Sequence, residues 1–166
     1  MSTVAVSTRW DADSSPVPAS TEGLSEQQVA SLSGRLMWAG DRAGHGVGIV
    51  IEDIAPGRAR LSMPIRPEFT NGHGICHGGF IFLLADTAFA YACNSRNQHT
   101  VAAGADISFV SSAKQGDTLI AEGIEQHRGG RTGVYDVRVC NQDGKLIALF
   151  RGRSAAIKGQ FIGDSK

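Results

Sequence analysis

The segment Phe80–Asn94 is almost wholly apolar and carries one ionisable acid, Asp86, near its middle. A carboxylate buried without a partner is costly enough that it pairs, protonates or is kept for chemistry. Positions 82, 83, 89 and 90 around it are Phe, Leu, Phe and Ala, so no cation sits within a helical turn. Either a backbone group or a distant lysine or arginine satisfies Asp86, or it is a general base or nucleophile in a cleft. The missing local partner favours the second. Just upstream, His77-Gly78-Gly79 stands where a helix would begin. The first N–H groups of a helix have no intrahelical acceptor, and the dipole there is positive. Such N–H groups suit a developing oxyanion, and glycine lets a carbonyl approach the backbone closely.

Gly78 and Asp86 are eight residues apart, which is ~12 Å along a helix. A base and an oxyanion donor must both reach the same reacting group, at ~3 Å each. An aspartate leaning back toward the helix start recovers little of that gap. One helix therefore cannot offer both groups to one carbonyl. If both act, Asp86 of one subunit faces Gly78 of another, and the protein is at least a dimer with shared sites.

A helix apolar on every side must be enclosed all round. About 14 residues span ~21 Å, short of a ~30 Å hydrocarbon core, so the enclosure is protein rather than membrane. The flanking sequence supplies a curved sheet. Upstream, Ser25 with Gln28 reads as a capping box opening a helix with a stripe of Val29, Leu32, Leu36 and Met37. From Gly46, Val47, Ile49 and Ile51 alternate as a first strand, and Ala55-Pro56-Gly57 marks a turn. Ala59, Leu61, Met63 and Ile65 alternate in a second strand, and Pro67 sits in the loop leading to Asn71. After the helix come four strands, roughly Thr100–Ala113, Asp117–His127, Gly133–Cys140 and Lys145–Ile157, parted by turn signals. The expected class is α+β: one very apolar helix and a single antiparallel sheet ending in a meander. Residues 1–23 read as a disordered tail, 24–45 as an N-terminal helix and 46–160 as the domain.

Composition narrows the partners. Sixteen basic and 16 acidic side chains cancel, so no global field draws nucleic acid or an anionic membrane. The 21 glycines in 166 residues exceed the usual ~7% and point to tight turns or close backbone approach. Cys76, Cys93 and Cys140 form no CxxC pair, which argues against a disulfide scaffold or zinc knuckle and for a reducing, cytoplasmic setting. Residues 1–23 contain no apolar run of the kind that drives export. His73, Cys76 and His77 lack a second pair at metal-ligand spacing. Trp10, Trp38 and the phenylalanines read as packing rather than base-stacking residues.

The stretch from Asn71 to Gly79, followed by Leu84-Ala85-Asp86-Thr87-Ala88-Phe89-Ala90, resembles the hotdog-fold acyl-CoA thioesterases of the phenylacetate-degradation (PaaI) type. Thr132-Gly133-Val134-Tyr135-Asp136 and Ala148-Leu149-Phe150-Arg151-Gly152 resemble the same group, and the likeness runs from about Met37 to Gly159. The resemblance implies a long helix wrapped by five or six strands, paired into dimers and often tetramers. It implies hydrolysis of aryl- or arylacetyl-CoA thioesters without metal or organic cofactor. Asp86 matches the catalytic carboxylate, Gly78 the residue whose N–H polarises the carbonyl, and Asn71 and His77 polar positions near the thioester and water. Gly79, Thr87, Phe109, Arg128 and Arg131 complete the expected substrate-binding set.

Coenzyme A is polyanionic and the chain is neutral, so binding needs a local basic patch. Arg128 and Arg131 flank a Gly-Gly turn, with Lys114, Arg151 and Arg153 as further candidates. Two departures from the family stand out. Ser111-Ser112 replaces an Arg-Pro common in relatives, and Ala102, Ala103 and Gly104 lack the hydroxyl some relatives place near the water. A hotdog hydratase would show a His-Phe-Pro-like motif, which is missing. A non-catalytic acyl-CoA-binding module would have no use for Asp86.

Overall fold

The computed structural model describes residues 15–163. Helix α1 (Glu26–Trp38) opens on the expected capping box: Ser25 Oγ accepts from Gln28 N–H, and Gln28 Oε1 accepts from Ser25 N–H. Its buried face, however, is Ala30, Ser33, Gly34, Arg35 and Trp38. Val29, Leu32, Leu36 and Met37 are only half-buried, so the packed stripe lies one position round from the expected one. A short helix α2 (Arg42–Val47) follows, capped by Asp41, whose Oδ1 accepts from Gly44 N–H, and ended by Gly48 at φ 75°. This corrects the strand expected from Gly46. The alternation of Val47, Ile49 and Ile51 is real, but an aspartate cap and a left-handed glycine stop are helix signals that outweigh it. The Tyr91 hydroxyl donates to the other oxygen of Asp41 at 3.1 Å and ties α2 to the central helix.

The strands are β1 (Val50–Ala55), β2 (Arg58–Pro64), β3 (Thr100–Phe109), β4 (Thr118–Gly129), β5 (Thr132–Asn141) and β6 (Leu146–Ala156). They form one antiparallel sheet in the order β1-β2-β4-β5-β6-β3. The meander holds for β4, β5 and β6. β3 departs from it, because the chain leaving the central helix takes the far edge beside β6. Residues 110–117 then return along one end of the sheet, where Cys76 N–H donates to Ala113 O and Ile75 bridges Lys114. That return pins the loop before the central helix.

The central helix α3 runs Gly78–Asn94 and lies on the concave face of the sheet, burying Leu84, Ala85, Ala88, Phe89, Tyr91 and Ala92. Two glycines allow the sheet to wrap this closely. A Cβ at Gly123 on β4 would lie 3.0 Å from Ala88 O, and one at Gly152 on β6 would lie 2.7 Å from the Phe89 ring. The Phe89 ring packs edge-on to Tyr135, with centroids 5.5 Å apart. Gly152→Ala is therefore expected to cost about 1–3 kcal/mol by overpacking. A thermal melt should show Tm falling by ~2–12 °C.

Enclosure is not complete within one chain. Leu83, Asp86, Thr87 and Ala90 are half-buried, so one stripe of α3 is only partly covered, while Phe82 beside it packs edge-on to Phe150 of β6. Edge strand β3 exposes Val101 at 46% and Phe109 at 54%. The expectation of a helix covered on all sides by its own sheet is corrected accordingly.

Candidate active site

The loop before α3 is a small hairpin. Thr70 bridges Cys76, Asn71 N–H donates to Ile75 O, and Gly74 turns the chain at φ 72°. Asn71 Oδ1 accepts from His73 N–H at 2.9 Å, which fixes the side chain by the tip of the loop. His77 N–H donates to Phe69 O, placing His77 as the N-cap of α3.

The first turn of α3 is satisfied selectively. Gly79 N–H donates to His77 Nδ1 at 2.9 Å, and Phe80 N–H donates to His77 O at 3.0 Å. Because Nδ1 accepts, the neutral ring carries its proton on Nε2. The Gly78 N–H has no acceptor among the described residues. The Phe109 ring, reaching over from β3, lies on this glycine: a Cβ at position 78 would be 2.9 Å from the ring tip. His77, Gly78, Gly79 and Phe109 thus come together at the start of α3, with Asn71 held in the loop that precedes it.

Asp86 stands two turns further on, half-buried, in a cavity of about 390 Å³ lined chiefly by apolar side chains, including Met37, Phe89, Ala90 and Cys93. It makes no hydrogen bond or ion pair among the described residues. Burial raises its carboxyl above the usual carboxylate value. Burial likewise pushes the neighbouring Cys93 thiol up to about 12, so it is no thiolate at neutral pH. Cys76, the cysteine beside His77, is pushed up to about 11 by burial and is equally unreactive. Thr87 Oγ1 donates to Leu83 O at 2.7 Å, which leaves only its lone pairs for a ligand.

A second cavity of about 420 Å³ adjoins the first, sharing Cys93, Thr100 and Ile157. Arg128, Arg131 and Lys158 line it. Lys158 had no signal beyond its place at a strand end. Arg131 also donates to Ala156 O. Two of the other basic candidates are engaged elsewhere. Arg151 pairs with Asp136 at 2.6 Å, and Arg153 pairs with Asp106 at 2.7 Å. His99 and Phe161, which also line the Asp86 cavity, carried no sequence signal.

Within one chain the glycine amide at the start of α3 and the carboxylate in its cavity thus stand apart, two turns from each other along the helix. Among the described residues no cluster of three or more His, Cys, Asp or Glu could hold a metal, and no helix is long and apolar enough to cross a membrane.

This arrangement of one helix on a curled antiparallel sheet is the hotdog fold, and the chain belongs to the thioesterase superfamily, whose family model matches residues 73–148. That makes it an enzyme of the thioester-hydrolase class. The acyl-coenzyme A thioesterase PaaI of Escherichia coli K12 is 43% identical over 129 residues, covering 78% of this chain and 92% of that protein. The solved structure of the E. coli PaaI protein superposes with a TM-score of 0.81 at 42% identity, covering 82% of this chain and 99% of that one. A Streptococcus mutans UA159 protein, smu.793, solved bound to acetyl CoA, matches with a TM-score of 0.65 at 27% identity, covering 68% and 90%. The resemblance read from the Asn71–Ala90 region is borne out.

Proposed function

We propose that this protein hydrolyses aryl- or arylacetyl-CoA thioesters to the free acid and coenzyme A. The observation that carries the reading is the Asp86 carboxylate, unpartnered among the described residues, in an apolar cavity, ~12 Å along one helix from an equally unpartnered Gly78 N–H. The two complete each other only across a subunit boundary. The partly covered stripe of α3 and the exposed edge of β3 are surfaces that a second copy would cover, giving a dimer with shared sites and room for a tetramer.

In this mechanism the thioester carbonyl oxygen accepts from Gly78 N–H of one subunit. Asp86 of the other subunit activates water by taking its proton, or attacks the carbonyl directly to give a mixed anhydride that water then opens. Coenzyme A leaves as the thiol. His77 holds the first turn by occupying Gly79 N–H, so that only the Gly78 amide points to substrate. Asn71 stands at the loop beside the thioester and water, and Gly79, Thr87 and Phe109 border the acyl path.

Thiol release from phenylacetyl-CoA is the deciding assay. No release across aryl and fatty acyl-CoAs would leave an acyl-CoA-binding module instead. A single turnover in heavy-oxygen water separates the two routes, because label entering Asp86 requires direct attack. Arg128 and Arg131 are proposed to meet coenzyme A phosphates. Arg128→Glu is then expected to raise KM for acyl-CoA about tenfold, with kcat nearly unchanged. Equal KM values would remove that arginine from the phosphate site.

A further inference from the structure

The Asp86 cavity follows the last two turns of α3. Asp86, Ala90, Cys93 and Asn94 line it at helical spacing, so its long axis extends ~12 Å from the carboxylate. What stands at the far end comes from the chain beyond β6. There Asn97, just past α3, holds the returning segment. Its Oδ1 accepts from Phe161 N–H at 2.9 Å and Ile162 N–H at 2.7 Å, and its Nδ2 donates to Ile162 O at 3.0 Å. Asn97 does this at φ 58°, a left-handed conformation that asparagine tolerates better than most residues. Ile162 is fully buried, and His99 pairs its N–H with Gly159 O and its carbonyl with Ile157 N–H. On this pinned segment the Phe161 ring stands edge-on to His99, centroids 4.4 Å apart and planes at 66°. Both rings line the cavity.

We propose that Phe161 is a specificity-determining residue whose ring ends the acyl cavity and restricts it to groups about one aromatic ring long. The proposal rests on the reading above that Asp86 is the reacting group and the cavity beside it takes the acyl chain. At about 390 Å³ the space falls near the small end of ligand pockets, ~300–1,000 Å³. It holds a compact acyl group; a long alkyl chain running down the same axis meets the Phe161 ring. Because Asn97 anchors the segment through backbone atoms, the ring can be changed without releasing the wall.

The test uses two non-hydrolysable thioethers, S-(2-phenylethyl)-CoA and S-decyl-CoA, titrated calorimetrically against the full chain, Phe161→Ala and Phe161→Trp. Phenylacetyl-CoA turnover and melting temperature are measured alongside. Phe161→Ala is expected to shift the ratio of the two Kd values toward the decyl ligand by about tenfold or more. Phe161→Trp is expected to weaken the phenylethyl ligand, which a merely structural ring would not do in a protein of unchanged Tm. A ratio in Phe161→Ala within about twofold of the parent overturns the wall, even if the enzyme turns over normally. A shifted ratio in a parent protein that hydrolyses no thioester leaves the wall standing and overturns the catalytic reading. Binding of neither ligand overturns both.

Discussion

Asp86→Asn is expected to lower kcat for phenylacetyl-CoA by about 10²–10⁴-fold while raising the melting temperature at neutral pH. The two effects share one cause. The carboxylate sits in a largely apolar cavity without a partner among the described residues, and burial raises its protonation point. The folded protein thus binds that proton more tightly than the unfolded chain does. Between the ordinary carboxylate value and the raised one, the native state holds more protons, so stability falls as pH rises. Below both values the penalty vanishes. An amide of the same shape has no charge to desolvate, so parent and variant should diverge in Tm as pH climbs from acid toward neutral. Activity runs the opposite way. The deprotonated acid is the working form, so kcat/KM should fall as pH drops through the raised value, and the variant's residual rate should lose that limb. Melting curves and pH–rate profiles on the same preparations check both halves. A variant that melts lower at neutral pH, or one that keeps its turnover, would remove Asp86 from the role proposed for it.

The legible parts of this molecule were local ones. Ser25 and Gln28 announced α1 because a capping box is closed within four residues, and Asp86 stood out because its helical neighbours are all apolar. Apart from the first, whose start fell on α2, the strands followed from period-two alternation, and β5 keeps it, with Tyr135, Val137 and Val139 buried and Asp136 and Arg138 alternating with them. What escaped depends on partners distant in sequence. β3 lies beside β6 rather than β4 because of where α3 delivers the chain. Arg151 looked free for phosphate until the register put Asp136 opposite it. In α1 the packed face includes the small residues Ser33 and Gly34. A hydrophobic stripe does not announce them. Phe161 enters the Asp86 cavity only because Asn97 bends the segment after β6 back across the end of α3, a contact spanning more than sixty positions.

Gly78→Pro is expected to lower turnover by about 10²–10³-fold, the usual loss when one oxyanion donor is deleted, with α3 intact. Proline is well suited to the first helical position, where its missing N–H breaks no intrahelical bond. The residue before it must be extended, and His77 already sits at φ −63° and ψ 133°. Gly78→Ala is the matching control: it keeps the N–H and adds the same Cβ that presses on the exposed Phe109 ring. If Pro and Ala lose equally, the contact with Phe109 matters and the N–H does not. The pair also tests the shared site. In a dimer formed from Asp86→Asn and Gly78→Pro subunits, one site carries both lesions and the other neither. Unfolding and refolding an equal mixture of the two inactive proteins should then restore about a quarter of parental activity, since half the dimers are mixed and each has one sound site. A carboxylate and an amide acting on one substrate within a single chain could never be rebuilt this way, so a mixture as inactive as its components would place both groups of each site in one subunit.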